Sequence, residues 1–319
     1  MKAETVTGYR FRPADMNLAA RKPGIGAFLR TRNGADFVEA AIRSHVEFYD
    51  EIVAVYNQCT DDTPRILERL AAEFAPRIRL FHYTDRVQPL GSRAHAETPA
   101  DHPESMVNYS NFALAQTRYR IAVKLDDDHL AIPARVGEVC AQLRAGVLDE
   151  DTHHSFSGLN LARSGAGRLG IPAHEMISGN GDIGYFRVTA QSRFTHDRRF
   201  ERAGRGGLRR RFAGYLYWHL KFLKSGSGFG NYELADNPGS RFGRKRAAFE
   251  RAPLLDLPEA RRRIRPRGLR RLRGRLGGKA ALLHARDAAI EAAFPDPGLT
   301  EALDRTSPGW RRLLGLEHG

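Results

Sequence analysis

Cysteine is scarce in this sequence. Only two cysteines, Cys59 and Cys140, occur among 319 residues. Two cysteines cannot build a disulfide framework, and neither has a second cysteine nearby with which to hold zinc. The composition therefore excludes a small disulfide-stabilised secreted domain and agrees with a reducing compartment.

Long apolar segments are also missing. No uninterrupted apolar run reaches the roughly 20 residues that a membrane-spanning helix needs. The first twelve residues lack the apolar centre of a secretory signal. We therefore expect a cytoplasmic protein, with peripheral attachment to the cytoplasmic face of a membrane as a further option.

Acidic residues are outnumbered by basic ones, and the formal net charge is +14. Much of the excess lies between Arg261 and Arg275, a segment with nine arginines and no acid. Because the remaining charge is modest, we expect no nucleic-acid partner. Such a segment suits anionic lipid heads, phosphorylated glycans or nucleic acid, and we favour an anionic membrane surface. The alternatives are a solvated tail and arginines paired with acids elsewhere in the protein.

The first half of the chain alternates strand-like and helix-like segments. Short apolar runs predict strands at residues 26–31, 51–56, 77–82 and 120–125, and amphipathic patterns predict helices at residues 36–49, 63–74 and 105–116. This alternation predicts an α/β fold with a mainly parallel sheet flanked by helices. Ligands of such sheets bind beyond the carboxyl ends of the strands.

The second half has a weaker pattern. Residues 86–104 are interpreted as a loop beside the site, and residues 208–224 as a helix with aromatic residues at i, i+3, i+4 and i+7. We expect a catalytic domain over residues 1–253, with a donor half at 24–133 and an acceptor half at 134–253. Residues 254–319 are expected to form a basic helical extension.

The strongest chemical signal is KLDDDH, in which Asp126, Asp127 and Asp128 follow a predicted strand. Three adjacent carboxylates repel one another unless a cation binds between them. A divalent ion, Mn²⁺ or Mg²⁺, that bridges a diphosphate would meet this need. The alternative is a solvated acidic turn without a ligand.

Four motifs follow one another in the order RTRNGADFVEAAIRSH, EIVAVYNQCTDDTPRIL, SNFALAQT and VKLDDDH. This series resembles the family 2 glycosyltransferases and their GT-A relatives. The resemblance implies a nucleotide-diphospho-sugar donor and a DxD motif, matched by Asp126 and Asp128, that holds the metal and the diphosphate. The donor contacts that it implies are Arg30, Thr31, Arg32, Asn33, Tyr56, Asn57, Asp61, Asn111, Asp126 and Asp127.

Two departures from the family pattern change the expected roles. Tyr56 stands where the family usually has an acid, so base and ribose recognition is assigned to Tyr56 stacking, Asn57 and Asp61. The acidic pair that supplies the family's catalytic base has no clean match. Among single acids we favour Asp182, in GNGDIGYF, with Glu201 second. Asp197 lies in a charged run and is expected to be solvated.

A late histidine often completes the metal shell of GT-A enzymes, and His219 is the candidate here, with core packing as the alternative. Lys221 or Lys224 would neutralise the leaving diphosphate. The sequence thus predicts a metal-dependent, inverting glycosyltransferase with a glycan or lipid-linked acceptor. The rival functions are a sugar-phosphate nucleotidyltransferase, although RTRNGAD has only one glycine, and a basic nucleic-acid-binding protein.

Overall fold

A computed structural model describes residues 2–197, 200–204, 207–235, 237, 239–266 and 277–316. The strands are β1 (Glu4–Val6), β2 (Lys22–Thr31), β3 (Glu51–Asn57), β4 (Ile78–Tyr83), β5 (Tyr119–Leu125), β6 (His129–Ala131), β7 (Thr152–Arg163), β8 (Leu169–Pro172), β9 (Ile177–Ser178), β10 (Gly184–Arg187), β11 (Phe194–Asp197), β12 (Phe200–Ala203), β13 (Arg209–Phe222) and β14 (Leu254–Leu255). The helices are α1 (Val38–His45), α2 (Thr63–Glu73), α3 (Arg93–Glu97), α4 (Met106–Ala115), α5 (Pro133–Arg144), α6 (Arg241–Arg251), α7 (Leu257–Ile264), α8 (Gly278–Ala288), α9 (Ile290–Ala293), α10 (Leu299–Thr306) and α11 (Trp310–Leu313).

The donor half forms a parallel sheet in the order β1-β4-β3-β2-β5. Every residue of β3 is buried, as expected for a central strand covered on both faces. The helices α1, α2 and α5 pack on one face of the sheet, and α4 packs on the other. The predicted α/β class, with a mainly parallel sheet flanked by helices, is confirmed.

Mixed pairing extends the sheet beyond β5, in the order β5-β10-β7-β13-β6. Here β10 is antiparallel to both neighbours, and β13 is parallel to β7 but antiparallel to β6. The last pairing places His219 directly opposite His129. The strand β13, from the second half of the chain, therefore lies at the edge of the sheet where β5 ends.

The predicted helix at residues 208–224 is wrong, because this segment is the long strand β13. Irregularities in its pairing with β7 fall between Phe212 and Gly214 and between Tyr215 and Tyr217. A bulge shifts the alternation of side chains by one residue. As a result Tyr215 and Trp218, three residues apart, share one hydrophobic cluster and imitate the spacing of a helix.

After the short strand β14, the described residues of the expected C-terminal extension form the helices α7 to α11, and most of their buried apolar side chains belong to the cluster around Trp218. The indole Nε1 of Trp218 donates to Oγ1 of Thr306 over 2.9 Å, and the hydroxyl of Ser307 donates to the carbonyl of Ala131 over 2.6 Å. The strand β14 also pairs with β8. One hydrophobic cluster thus crosses the expected domain boundary.

The basic segment from Arg261 to Arg275 is described only as far as residue 266; residues 267–276 lie outside the described part. Arg261 lies 3.7 Å from Glu291, and Arg262 and Arg263 both pair with Glu259. These three arginines therefore have acidic partners within the protein. Within the described ranges, no helix has the length and apolar character to cross a membrane.

Candidate active site

A cleft of about 650 Å³ lies where β2, β3 and β5 end. It is the place at which an open α/β sheet binds ligands. Most of the residues singled out in the sequence line it, namely Arg30, Thr31, Arg32, Asn33, Asn57, Asp61, Asp126, Asp127, Asp128, Glu201, His219 and Lys221.

The three aspartates each have a lysine partner. Nζ of Lys124 lies 2.7 Å from Oδ1 of Asp126, and Nζ of Lys224 lies 2.5 Å from Oδ1 of Asp127 and 2.9 Å from Oδ2 of Asp128. Burial opposes ionisation of Asp126, but the nearby Lys124 and His129 together outweigh it and lower the pKa of Asp126 to about 2. Lysines of the chain therefore offset much of the repulsion among the three aspartates. That repulsion was the reason for predicting a bound cation from the sequence.

Other polar atoms of the same cluster remain without a hydrogen bond. Oδ1 of Asp128 and Nε2 of His129 are buried and have no hydrogen-bond partner in the part of the chain that is described. Ligand atoms of Asp128, His129 and His219 all lie within 4.8 Å of one another. Buried polar atoms without partners are costly. A divalent cation at this point would satisfy them, so the residues present fit a metal.

The hydrogen bonds of Asn160 determine which nitrogen of His219 faces the cluster. The side-chain amide of Asn160 donates to the carbonyl of Glu175, so its oxygen faces Nδ1 of His219 at 2.5 Å. Nδ1 must then carry the proton. Nε2, which lies 3.2 Å from Oδ1 of Asp128, directs its lone pair at a carboxylate. Second partners of this kind orient metal-binding histidines.

The turns after β2 and β3 are tied to one another. Oδ1 of Asn33 accepts from the backbone of Thr60 over 2.8 Å, and the two oxygens of Asp61 accept from Ala35 and Thr63, each over 3.0 Å. Asp61 therefore orders the start of α2 while it also faces the cleft. Asn57 uses its amide to hold the backbone at Tyr83, Asp85 and Val87.

Three predicted site residues do not line the cleft. Tyr56 stacks on His82 with ring centroids 4.6 Å apart. Asn111 exchanges two hydrogen bonds with the backbone of Phe194. Asp182 is exposed, and its side chain accepts from the backbone N–H of Asn180, two residues before it, over 2.9 Å.

The runner-up acid, Glu201, lies inside the cleft on β12. Its Oε1 is 2.9 Å from Nη2 of Arg30, and the two side chains are only 10% and 8% exposed. The guanidinium of Arg30 also lies against the rings of Tyr109 and Phe194, at 6.0 and 5.5 Å from their centroids. Since Asn111 anchors β11 at Phe194, its role here is to hold the β11–β12 hairpin that carries Glu201. The side chain of Asp197, on the same hairpin, lies outside the described residues.

A segment from Ser225 to Tyr232 closes one side of the cleft. The backbone N–H of Ser225 donates to Asp36 over 2.8 Å, and the amide of Asn231 donates to the carbonyl of Arg32. Next to it, the ammonium of Lys221 lies 4.8 and 5.0 Å from the ring centroids of Phe229 and Tyr232. Among the described residues Lys221 forms no ion pair, so its charge is free to meet an anion in the cleft.

No family model and no curated protein matches this chain. Among solved structures it is similar to glucosyl-3-phosphoglycerate synthase from Mycobacterium tuberculosis in complex with Mn²⁺, uridine-diphosphate and phosphoglyceric acid, with 21% identity over 51% of this chain and 52% of that chain and a TM-score of 0.27. The same enzyme with Mg²⁺ and uridine-diphosphate gives 19% identity, 50% and 51% coverage and a TM-score of 0.27. This chain thus spans about half the length of each.

Sequence reasoning missed several residues of this site. His129 ends the KLDDDH motif, so its position beside the aspartates was a signal that could have been used. Lys124 is the first residue of the same motif. Asn160 and Asp36 carried no signal, because their contacts join segments that are far apart in the chain.

Proposed function

We propose that this protein is a GT-A-type glycosyltransferase that moves a sugar from a nucleotide-diphospho-sugar to an acceptor hydroxyl, with a divalent cation. One observation carries the proposal. Asp126, Asp128 and His219 line a cleft at the carboxyl ends of parallel strands, and ligand atoms of Asp128 and His219 lie within 4.8 Å of one another. Lys221, which forms no ion pair among the described residues, lines the same cleft. Metal ligands together with cationic side chains favour the binding of a diphosphate.

The reaction breaks the bond between the anomeric carbon of the sugar and the diphosphate, and forms a bond from that carbon to the acceptor oxygen. A divalent cation held by Asp126, Asp128 and His219 would supply charge neutralisation for the departing diphosphate. Lys221 adds a second positive charge on the same side of the cleft. Lys224 is already bonded to two aspartates, so Lys221 is the better diphosphate ligand of the two.

The acceptor proton passes to a carboxylate. Asp182 was the first choice on sequence, but Glu201 lines the cleft and Asp182 does not. We therefore assign the base to Glu201, with Arg30 fixing its orientation. The stereochemical outcome, inversion, remains a prediction that product analysis would test.

The acceptor and the place of action also belong to the proposal. We expect the acceptor to be a glycan or a lipid-linked molecule. We also expect the segment between Arg261 and Arg275 to hold the enzyme at an anionic membrane surface. Flotation of the full chain with anionic vesicles at low and high salt tests the attachment. Absence of flotation at low salt would refute the membrane role and leave the transfer reaction untouched.

The decisive experiment is a thermal-shift panel of nucleoside diphosphates with and without Mn²⁺, followed by assays for sugar transfer. Binding to the folded state raises the melting temperature by mass action. We expect a shift that needs both the nucleotide and the metal and that is lost in Asp126→Asn and Asp128→Asn. A shift with nucleic acid and none with any nucleotide would refute the proposal.

A further inference from the structure

His129 is buried beneath the cleft with an unused ring nitrogen. Its side chain is 1% exposed, and its Nε2 forms no hydrogen bond among the described residues. The ring stacks on Tyr217, with centroids 3.7 Å apart, which fixes the plane of the imidazole. Nε2 lies 3.6 Å from Oδ2 of Asp126.

In each of the two outer aspartates, one carboxylate oxygen faces a lysine and the other faces a histidine. Asp126 gives Oδ1 to Lys124 and directs Oδ2 at His129, while Asp128 gives Oδ2 to Lys224 and directs Oδ1 at His219. Oδ1 of Asp128 and the ring nitrogens of His129 and His219 therefore converge within 4.8 Å of one another, and Oδ2 of Asp126 lies beside His129. None of these four atoms is committed to a lysine. Adjacent ligands of an ion with bonds of about 2.1 Å stand about 3.0–3.4 Å apart. The distance from Nε2 of His219 to Oδ1 of Asp128 is 3.2 Å, within this range, and that from Nε2 of His129 to Oδ2 of Asp126 is 3.6 Å, just beyond it.

The sheet holds the two imidazoles in register. His129 on β6 and His219 on β13 are direct partners in an antiparallel pair, and their ring centroids lie 5.4 Å apart. Residues opposite each other in such a pair have neighbouring side chains on the same face. Backbone pairing therefore fixes the spacing of the rings, independently of any ligand.

We propose that His129 is a metal ligand together with His219 and Asp128, so that the centre has two imidazole donors and prefers first-row transition-metal ions to Mg²⁺. This inference adds a ligand to the metal site of the proposed function. It rests on the proposed function only for the statement that the metal takes part in sugar transfer. Mg²⁺ prefers oxygen ligands and retains its waters, whereas imidazole favours transition metals. The affinity order expected is Mg²⁺ < Mn²⁺ < Co²⁺.

The first test uses the unmodified full chain, freed of metal by a chelator. Pulsed electron paramagnetic resonance of the Mn²⁺ complex counts the imidazole nitrogens that are bonded to the ion. We expect two nitrogens, and displacement of Mn²⁺ only by a large excess of Mg²⁺. One nitrogen or none, or equal affinity for the two ions, would overturn the inference.

The second test compares His129→Gln with His154→Gln. His154 is an equally buried histidine on β7 that also has a ring nitrogen without a hydrogen-bond partner among the described residues, but it does not belong to the metal cluster. We expect His129→Gln to weaken Mn²⁺ binding by more than about 10-fold and to leave one bonded nitrogen. His154→Gln should bind Mn²⁺ as the wild type does.

The outcomes separate this inference from the proposed function. If His129→Gln binds Mn²⁺ normally and the wild type still transfers sugar, His129 is not a ligand and the transferase proposal stands. If the wild type binds no divalent ion at all, the inference fails together with metal dependence. Should the variant fail to fold, the nitrogen count on the wild type decides.

Discussion

Nη2 of Arg30 lies 2.9 Å from Oε1 of Glu201, although 171 positions of the chain separate the two residues. Arg30 is at the end of β2 in the donor half, and Glu201 is on a hairpin of the acceptor half. The ion pair therefore joins the two halves inside the cleft, at the side chain to which we assign the catalytic base.

Replacement of Arg30 by methionine should destabilise the fold, because it leaves the carboxylate of Glu201 buried without its partner. Losing one member of a buried pair costs about 3–5 kcal/mol. Urea unfolding monitored by circular dichroism measures the loss. Arg65→Met, which breaks the exposed pair with Asp62, is the control and should leave the midpoint unchanged.

Replacement of Glu201 by glutamine should lower kcat by about 10²-fold, the usual size of general-base catalysis. Nucleotide affinity should stay near the wild-type value, since the change keeps the size of the side chain. Asp182→Asn is the matched control and should keep its turnover. The reverse pattern would restore Asp182 as the base.

Lys224→Met should reduce the free energy of unfolding by about 3–5 kcal/mol, because Asp127 and Asp128 would lose their shared cation. Lys221→Met removes the same charge from the same cleft without breaking an ion pair among the described residues, so a much smaller loss is expected. Equal losses in the two variants would show that only the total charge of the cleft matters. The free energies of unfolding of the two variants are compared by denaturant unfolding at the same ionic strength.

Stability should fall with acid through His45. Burial lowers the pKa of this histidine from 6.5 to about 4, and its side chain bonds to the carbonyl of Ala41. Above pH 6.5 both folded and unfolded chains hold it neutral. Between pH 6.5 and 4 only the unfolded chain takes the proton, so up to on the order of 3 kcal/mol of stability is lost.

The variant His45→Gln should remove this contribution to the pH dependence. Equilibrium unfolding across pH 4–8 gives the curves for variant and wild type. Their difference should be constant above pH 6.5 and change below it. A difference that stays constant over the whole range would contradict the assignment.

Thr306→Val should cost about 1–3 kcal/mol, since the indole N–H of Trp218 would then be buried without an acceptor. Thr306→Ser keeps the oxygen and should cost much less. Denaturant unfolding distinguishes them. If both variants are as stable as the wild type, the C-terminal helices are not part of the fold that supports β13.

The sequence predicted the parallel half of the fold because its strands are short apolar runs separated by amphipathic helices. It failed at β13, where bulges imitate helical spacing in an aromatic run. The acidic cluster was visible because its aspartates are adjacent. The Arg30–Glu201 pair and the Asn160–His219 bond were not, because each depends on pairing between distant segments.

The position of β13 has a consequence for how the protein is made. The strands β2 to β5 emerge early from the ribosome and are able to pair with one another, and chains fold from the N-terminus during synthesis. Trp218, on the strand that carries His219, is covered only after Thr306 and the last helices have been synthesised. A ribosome-bound chain that stops before α10 would hold one proposed metal ligand, His219, on an uncovered strand, so we expect metal uptake at the final stage of synthesis.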